Sequence, residues 1–222
     1  MLTQAELDDE VRFWLNQDRE HNLFYALGFQ REDLRSEAMR LHDAYAEAQA
    51  RDDLGAGLAI LDHAQAYKLA AKARLDAGEW LGWIWPSFIQ HTHDELAHMR
   101  AKVAAGGAAS PREETCLIDR FQLEHLAFAA HLLDPGERHL DRVVTAAAIP
   151  ALDAANRCAA DTYETLRALS LRSAARIDQL FSAVVVAKKP PPASIIHPAL
   201  GAHVVREGRR WLGTLQALPP VA

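Results

Sequence analysis

Histidine and glutamate recur in one pattern in the two halves of the chain. The segment Pro86-x-x-x-x-His91-x-x-x-Glu95 has a counterpart in Pro198-x-x-x-x-His203-x-x-x-Glu207. A Glu-His pair precedes each segment, at Glu20-His21 in the first half and at Glu124-His125 in the second. Imidazole and carboxylate groups without thiolates suit iron, manganese or zinc. The pattern therefore predicts a metal site that arose by internal duplication.

The spacing of these residues places them on helix faces that point inward. Residues four apart on a helix lie one turn above each other on the same face, so His91 with Glu95, and His203 with Glu207, can each bind one ion. His125 shares its helix face with four apolar residues, namely Ile118, Phe121, Phe128 and Leu132. An apolar stripe of this kind faces the core of a helical protein, and an imidazole within it needs a partner.

Six side chains, three from each half, are predicted to bind the metal: His21, His91, Glu95, His125, His203 and Glu207. Glu20 and Glu124 point about 100° away from the histidines that follow them. These two carboxylates are candidates for a fourth ligand, a bridging ligand or a hydrogen-bond acceptor for the ligand histidine. Three ligands per half leave room for water, dioxygen, peroxide or a small-molecule substrate. Whether each half binds its own ion or both halves share one centre stays open.

A structural role is the competing interpretation, because a single inward histidine is more often a hydrogen-bonded core residue than a ligand. The duplication favours metal. Glu95-x-x-His98 has the spacing of ferritin-like di-iron helices, but its counterpart is Glu207-x-x-Arg210, so His98 is a weaker candidate. The remaining histidines considered lack a counterpart: His93, His131 and His139 are expected at the surface or behind the ligands, whereas His42 and His63 are candidates to orient the site.

The chain is predicted to be all-α, with eight helices arranged as a tandem duplication of an up-and-down four-helix bundle. Apolar residues return every three or four positions, and alternating β-type runs are almost missing. Turn residues divide the sequence into four helices, a linker containing Gly106-Gly107 and Ser110-Pro111, and four more helices. The predicted repeats are residues 1–106 and 107–222.

Prolines and tryptophans give further local expectations. The run Lys188-Lys189-Pro190-Pro191-Pro192 cannot continue a helix and is predicted to be a short stiff connector. Pro86 and Pro198 fit the first turn of a helix, where the missing amide hydrogen costs nothing. Pro150 is expected to kink or divide the sixth helix. Three tryptophans are expected to pack at one end of the first bundle: Trp80, Trp83 and Trp85.

Composition restricts the class of protein. The chain has 222 residues, of which 50% are hydrophobic and 24% charged, as in globular proteins. The net charge is −6 and the basic residues form no stripe, so nucleic acid is not an expected partner. The two cysteines, Cys116 and Cys158, suggest neither a disulfide scaffold nor a zinc module, and a reducing cytoplasm is the expected location. No export signal or membrane span is expected.

Several of these segments resemble the Bacillus-type metalloproteins, a family of unknown function built from two tandem four-helix repeats. The matching segments are Phe13-Trp14, Glu20-His21 with Phe24, Glu124-His125-x-x-Phe128, Leu132-Leu133-Asp134-Pro135, and His203-x-x-x-Glu207 with Trp211-Leu212. The resemblance implies a duplicated bundle in which residues of the first and last helices hold the metal. It implies no reaction, because the family has no settled activity. The extra His93 and His98 depart from a symmetric site.

Three functional hypotheses follow from the sequence. The first is an iron or manganese protein, with zinc possible, that handles dioxygen or peroxide as a non-haem metal oxidoreductase. The second is a non-enzymatic protein that binds or stores metal. The third is a helical interaction module with structural histidines. The oligomeric state is not predicted.

Overall fold

The fold is all-α, as predicted. The structure, a computed structural model, describes residues 2–107, 110–134, 136–186 and 197–220. Eight helices follow one another within this part of the chain: α1 (Gln4–Gly28), α2 (Glu32–Ala50), α3 (Leu54–Asp76), α4 (Pro86–Ala105), α5 (Pro111–Leu132), α6 (Arg138–Arg157), α7 (Tyr163–Val186) and α8 (Pro198–Ala217). The predicted connector at residues 188–192 lies outside the described residues.

The local sequence explains where the helices begin and end. The Thr3 hydroxyl accepts a hydrogen bond from the amide of Glu6, whose carboxylate accepts one from the amide of Thr3, so a capping box starts α1. Pro86 and Pro198 occupy the first turns of α4 and α8, as expected. Gly106 ends α4 with a φ of 68°, a left-handed conformation that favours glycine.

The helices form two compact units, Met1–Gly107 and Ala108–Ala222. In the first unit, α4 packs against both α1 and α3, and α2 packs against the same two helices. The bond from Lys102, late in α4, to Glu10, early in α1, shows that these neighbours are antiparallel. The core of this unit includes Trp14, Tyr25 and Leu61. The arrangement is an up-and-down bundle in which α1 and α3 run in the same direction.

The second unit repeats this arrangement with α5 to α8. Helix α5 packs against α6, α7 and α8, and α7 packs against α6 and α8. A core cluster of this unit is built from aliphatic side chains and one phenylalanine: Leu126, Ala129, Val144, Ala147, Ala151, Ile177, Phe181, Val204 and Val205. Within each unit, the first and last helices are therefore antiparallel neighbours, and these are the helices that carry the predicted ligands.

Pro150 does not divide α6, which runs without interruption from Arg138 to Arg157. A proline inside a helix removes one backbone hydrogen bond and costs about 3 kcal/mol. Side chains on both sides of the proline are buried, including Ala147 and Ala151. Burial of this continuous face offsets the local cost, and the expected division does not occur.

Two of the three tryptophans do not pack as expected. Trp80 and Trp83 are 66% and 69% exposed. The loop that carries them pairs with the end of α1 through an isolated antiparallel bridge between Phe29 and Gly82. Leu81 and Phe29 are buried there, at 0% and 1% exposure. Leu81 and Phe29 therefore pack at this end of the bundle, where the sequence predicted tryptophan rings.

The two cysteines form a disulfide, which their spacing in the sequence did not predict. Cys116 and Cys158 are 42 residues apart in sequence, yet their Cα atoms are 5.6 Å apart. The antiparallel packing of α5 and α6 brings the start of the first helix beside the end of the second and closes this separation. A disulfide is typical of oxidising compartments and weighs against the reducing cytoplasm that the cysteine count favoured.

Replacing both cysteines by serine is expected to lower the free energy of unfolding by about 2–4 kcal/mol, because the crosslink restricts the unfolded chain. Urea unfolding of the wild type with and without a reductant should show the same loss, whereas the double variant should not respond to the reductant. Two reactive thiols in denatured protein that was never reduced would contradict the crosslink.

Candidate metal centre

In the first unit, one carboxylate lies between two imidazoles. Helix α4 carries His91 and Glu95 one turn apart, and α1 carries His21 opposite them. The Nε2 atom of His91 is 3.1 Å from Oε1 of Glu95, and the Nε2 atom of His21 is 3.5 Å from Oε2 of the same carboxylate. We call these three residues the first set. Each oxygen of Glu95 thus faces a different imidazole.

The second unit contains the same arrangement. Helix α8 carries His203 and Glu207, and α5 carries His125. The Nε2 atoms of His203 and His125 are each 3.2 Å from one oxygen of Glu207. The ring of His125 also stacks on the indole of Trp211, with ring centres 5.1 Å apart. We call His125, His203 and Glu207 the second set.

Both sets are buried. The carboxylates of Glu95 and Glu207 are fully buried, and none of the four imidazoles exceeds 5% exposure. Burial alone would raise the pKa of Glu207, but the positive charge of His203 and a hydrogen bond from His125 hold it well below its usual value. The carboxyl group is therefore ionised in this setting. All six residues belong to buried His/Glu groups that could hold a metal ion.

Three weaker candidates lie beside the sets. Glu20, Glu124 and His98 are half-buried, and none belongs to the buried groups able to hold an ion among the described residues. The geometry of a helix explains this for the two glutamates, because adjacent residues point about 100° apart. Their roles as a bridging ligand or as a supporting acceptor stay hypotheses.

Neither of the histidines expected to orient the site is buried. His63 is exposed, and its Nε2 atom lies 2.6 Å from a carboxylate oxygen of Glu37. The Nδ1 atom of His42 lies 3.0 Å from the exposed Asp43. Each of these two imidazole rings therefore has a carboxylate, of Glu37 or Asp43, as its partner. His131, also exposed, contacts the backbone carbonyl of Ala127 at 2.8 Å.

Sequence reasoning missed a buried network behind His21. One oxygen of Asp18 lies 3.6 Å from Nδ1 of His21 and accepts a hydrogen bond from Nζ of Lys68 at 2.5 Å. The other oxygen accepts a hydrogen bond from the hydroxyl of Tyr45 at 2.7 Å. Lys68 also donates to the backbone carbonyl of Thr92, which follows His91 in sequence. The network joins all four helices of the unit.

Asp18 and Lys68 are both fully buried. Burial alone would raise the pKa of Asp18, but the Lys68 charge and the His21 contact lower it to about 2. One signal in the sequence could have found Asp18: it lies three residues before His21, on the same helix face. Nothing in the sequence around Lys68 distinguishes it from a surface lysine.

The corresponding positions of the second unit are neutral. The displacement of 104 residues that relates His21 to His125 relates Asp18 to Gln122. Further from the histidine, Asp119 accepts a hydrogen bond from the hydroxyl of Ser170 at 2.6 Å. Burial raises the pKa of Asp119 to about 7, although the Ser170 hydroxyl opposes the shift.

Asp119 is expected to make the protein less stable as the pH rises. The folded state keeps its proton up to about pH 7, whereas an unfolded aspartate loses it near pH 4. The unfolded state therefore gains stability relative to the folded state between these values. Asp119→Asn should be more stable than the wild type at pH 8, by on the order of 2–4 kcal/mol, and similar at pH 4. Chemical denaturation at the two pH values measures this, and an equal difference at both would refute the assignment.

The fold and the site define a class: all-α proteins made of two four-helix units, with buried His/Glu groups that could bind a metal ion. No described helix has the length and apolar character needed to cross a membrane. No protein-family profile matches the chain.

Known proteins that are similar to this chain include the following two. An uncharacterized protein from Bacillus cereus G9241, known from a crystal structure, has the same fold with a TM-score of 0.84; the match covers 100% of this chain and 94% of that one, at 13% identity. Uncharacterized protein L567 of Acanthamoeba polyphaga mimivirus is 26% identical over an alignment of 161 residues, and the match covers 61% of this chain. The matched region spans 50% of that relative.

Proposed function

We propose that this protein binds a divalent transition metal through the first and second sets, with His21, His91, Glu95, His125, His203 and Glu207 as ligands. The observation that carries the proposal is the repeated geometry. In each unit, a fully buried glutamate lies between two imidazole Nε2 atoms at 3.1–3.5 Å. In both cases the His-x-x-x-Glu pair comes from the last helix and the other imidazole from the first.

The free-energy cost of burying these polar groups is the physical reason for preferring a metal to a purely structural role. Burying a carboxylate and two imidazoles costs free energy that hydrogen bonds among the three groups only partly offset. Apolar residues of similar size would stabilise a core at least as well. Both units nevertheless bury a glutamate and two histidines at matching positions. A metal ion would offset this desolvation cost, because each Nε2 atom of the two sets already faces a carboxylate oxygen. An ion between the two atoms can bind both.

The ligand types favour iron or manganese, with zinc as a further possibility, because the sets combine imidazole and carboxylate without thiolate. Three ligands leave positions open for dioxygen, peroxide or a small substrate, which supports redox chemistry as the activity. Glu20 and Glu124 remain candidates for bridging or supporting carboxylates. The resemblance to Bacillus-type metalloproteins supports the same proposal. We also propose that the two four-helix repeats comprise residues 1–106 and 107–222.

Equilibrium dialysis of protein without an affinity tag, against manganese(II), zinc(II) or anaerobic iron(II), tests the proposal. Elemental analysis should find about one or two ions per chain, since complete ligand sets bind stoichiometrically. Less than about a tenth of that amount with all three metals would overturn metal binding and leave a structural role.

The metal-loaded protein then separates redox chemistry from storage. Peroxide added to the reduced iron or manganese form should change its optical or paramagnetic spectrum if the open positions admit the oxidant. A spectrum that does not change, together with rapid removal of the metal by a chelator, would favour metal binding or storage without catalysis.

A further inference from the structure

We infer that a buried polar cluster between α5 and α7 binds one monovalent cation of the size of sodium or potassium. The cluster consists of Asp119 and Gln122 of α5 and of Ser170 and Ser173 of α7, and we call it the α5–α7 cluster. None of these residues belongs to the two sets, so the cation site does not depend on the proposed transition-metal binding.

Helix geometry brings the four side chains together. The hydroxyl of Ser170 lies 2.6 Å from one carboxylate oxygen of Asp119, and this contact fixes the register of the two helices. Helices α5 and α7 pack against each other and run in the same direction. Three residues further along each helix, on the same face, lie Gln122 and Ser173. The cluster therefore occupies two consecutive turns of the contact between α5 and α7.

The cluster is sealed from solvent. Its four members are at most 2% exposed. One turn beyond Gln122 and Ser173, the two helices supply Leu126 and Ile177, which both belong to the apolar core of the unit. Bulk water therefore does not hydrate the polar atoms of the cluster.

Several of these polar atoms have no protein partner. The second carboxylate oxygen of Asp119, both amide atoms of Gln122 and the hydroxyl of Ser173 make no hydrogen bond with the described residues. Native proteins satisfy nearly all buried polar atoms with protein groups, ordered water or an ion. Three of these four atoms are oxygens, and carboxylate and amide oxygens are the ligands that hard cations prefer. The cluster therefore presents oxygen atoms to a ligand that the protein itself does not supply.

The charge of the cluster determines the charge of the ion. Asp119 is the one ionisable member, and burial raises its pKa to about 7, with the Ser170 hydroxyl opposing the shift. Arg172 and Arg176, close to the two serines in sequence, are exposed. A buried carboxylate that ionises needs a positive charge beside it. A single carboxylate matches a single positive charge, which favours a monovalent over a divalent ion.

The first unit contains an ammonium group in a comparable place. There, Asp18 of the first helix pairs with Lys68 of the third helix, and both side chains are fully buried. In the second unit, the third helix supplies two serine hydroxyls beside the aspartate of the first helix. A free cation in the second unit would balance its buried aspartate as the lysine ammonium does in the first.

Urea unfolding at pH 8 tests the inference, because Asp119 is then mostly ionised in the folded protein. Protein free of transition metals is compared in sodium, potassium and tetramethylammonium chloride at equal ionic strength, up to about 0.15 M. Tetramethylammonium is too large for the cluster and controls for ionic strength. An ion that binds only the folded chain favours it by a factor of 1 + [ion]/Kd. Sodium or potassium at about ten times its Kd should therefore lower the unfolding constant about tenfold.

Two variants locate the effect. Asp119→Asn removes the charge at nearly constant volume, so it should lose the response to sodium and potassium. In tetramethylammonium chloride it should be more stable than the wild type, because no buried charge remains. Gln122→Leu removes one oxygen ligand and should need a higher ion concentration for the same response. Asp141→Asn neutralises an exposed aspartate of the same unit and is the matched control, which should respond like the wild type.

Crystals soaked in rubidium or thallium(I), which substitute for potassium and scatter anomalously, give a second readout. A peak is expected beside the oxygens of Asp119 and Gln122 in the wild type and not in Asp119→Asn. Clear density for the cluster without such a peak would contradict the cation site.

The outcomes separate the cation site from the proposed function. Equal unfolding constants of the wild type in the three salts would overturn the inference and leave ordered water only at the cluster. A response to sodium or potassium that Asp119→Asn retains in full would also overturn it. Neither result affects the proposed transition-metal binding, and a failure of transition-metal binding leaves the cation site standing.

Discussion

The double variant His125→Ala/His203→Ala is expected to lose the metal ion that we propose for the second set, and this is the largest effect on metal binding that we expect. The two imidazoles supply both nitrogen ligands of the set, which leaves Glu207 as its only remaining donor. One carboxylate does not retain a transition metal against a chelator, because tight sites need several ligands in a fixed geometry. Elemental analysis after dialysis against a mild chelator measures the loss.

A matched control removes two other histidines from the same unit. His131 and His139 are exposed, so His131→Ala/His139→Ala removes as many imidazoles without touching the second set. This control should keep the wild-type metal content. Equal metal content in the second-set variant, the control and the wild type would exclude His125 and His203 as ligands.

The corresponding variant of the first unit adds information about the stoichiometry. If His21→Ala/His91→Ala and His125→Ala/His203→Ala each remove about half of the metal, each set binds its own ion. If either variant removes all of it, one centre needs both sets. Retention of the wild-type amount by both variants would contradict the proposed function as a whole.

Lys68→Met is expected to give the largest loss of stability among single substitutions in the first unit, about 3–5 kcal/mol. Lys68 and Asp18 are fully buried and lie 2.5 Å apart. Removal of the lysine leaves the Asp18 carboxylate in a dry environment with Tyr45 and His21 as its remaining neighbours. The measurement is urea unfolding of the metal-free protein, so that metal binding does not contribute to the apparent stability.

Two comparisons make this expectation specific. Lys72 is one turn along the same helix and pairs with Asp76 at the surface, so Lys72→Met should change the stability by less than about 1 kcal/mol. Adding Asp18→Asn to Lys68→Met should recover most of the lost stability, because the uncompensated charge disappears. A Lys68→Met protein as stable as Lys72→Met would show that the buried pair does not contribute as described.

The sequence predicted the all-α fold and the inward position of the six His and Glu side chains, for a physical reason. Helix spacing is a local property, so His91 and Glu95 had to share a face once α4 formed. The apolar stripe around His125 likewise determined that this ring points into the core. Pro150 did not divide α6 as its local effect on a helix predicts, because burial of side chains on both sides of it outweighed the lost hydrogen bond.

Features that depend on contacts between helices could not be predicted in the same way. Lys68 meets Asp18 only because α1 and α3 run side by side, and its neighbours in sequence do not reveal this. The disulfide between Cys116 and Cys158 depends on the pairing of α5 with α6. Trp80 is exposed because a bridge between distant parts of the backbone fixes its loop. In each case the deciding contact lies far away in sequence.

A crystal structure of the protein grown with manganese(II), measured for anomalous scattering, tests the central claim most directly. We expect anomalous peaks about 2.0–2.3 Å from imidazole Nε2 atoms and carboxylate oxygens, and these ligands should be members of the two sets: His21, His91, Glu95, His125, His203 and Glu207. Clear density for all six side chains with no anomalous peak beside them, or peaks bound only to surface residues, would contradict the account.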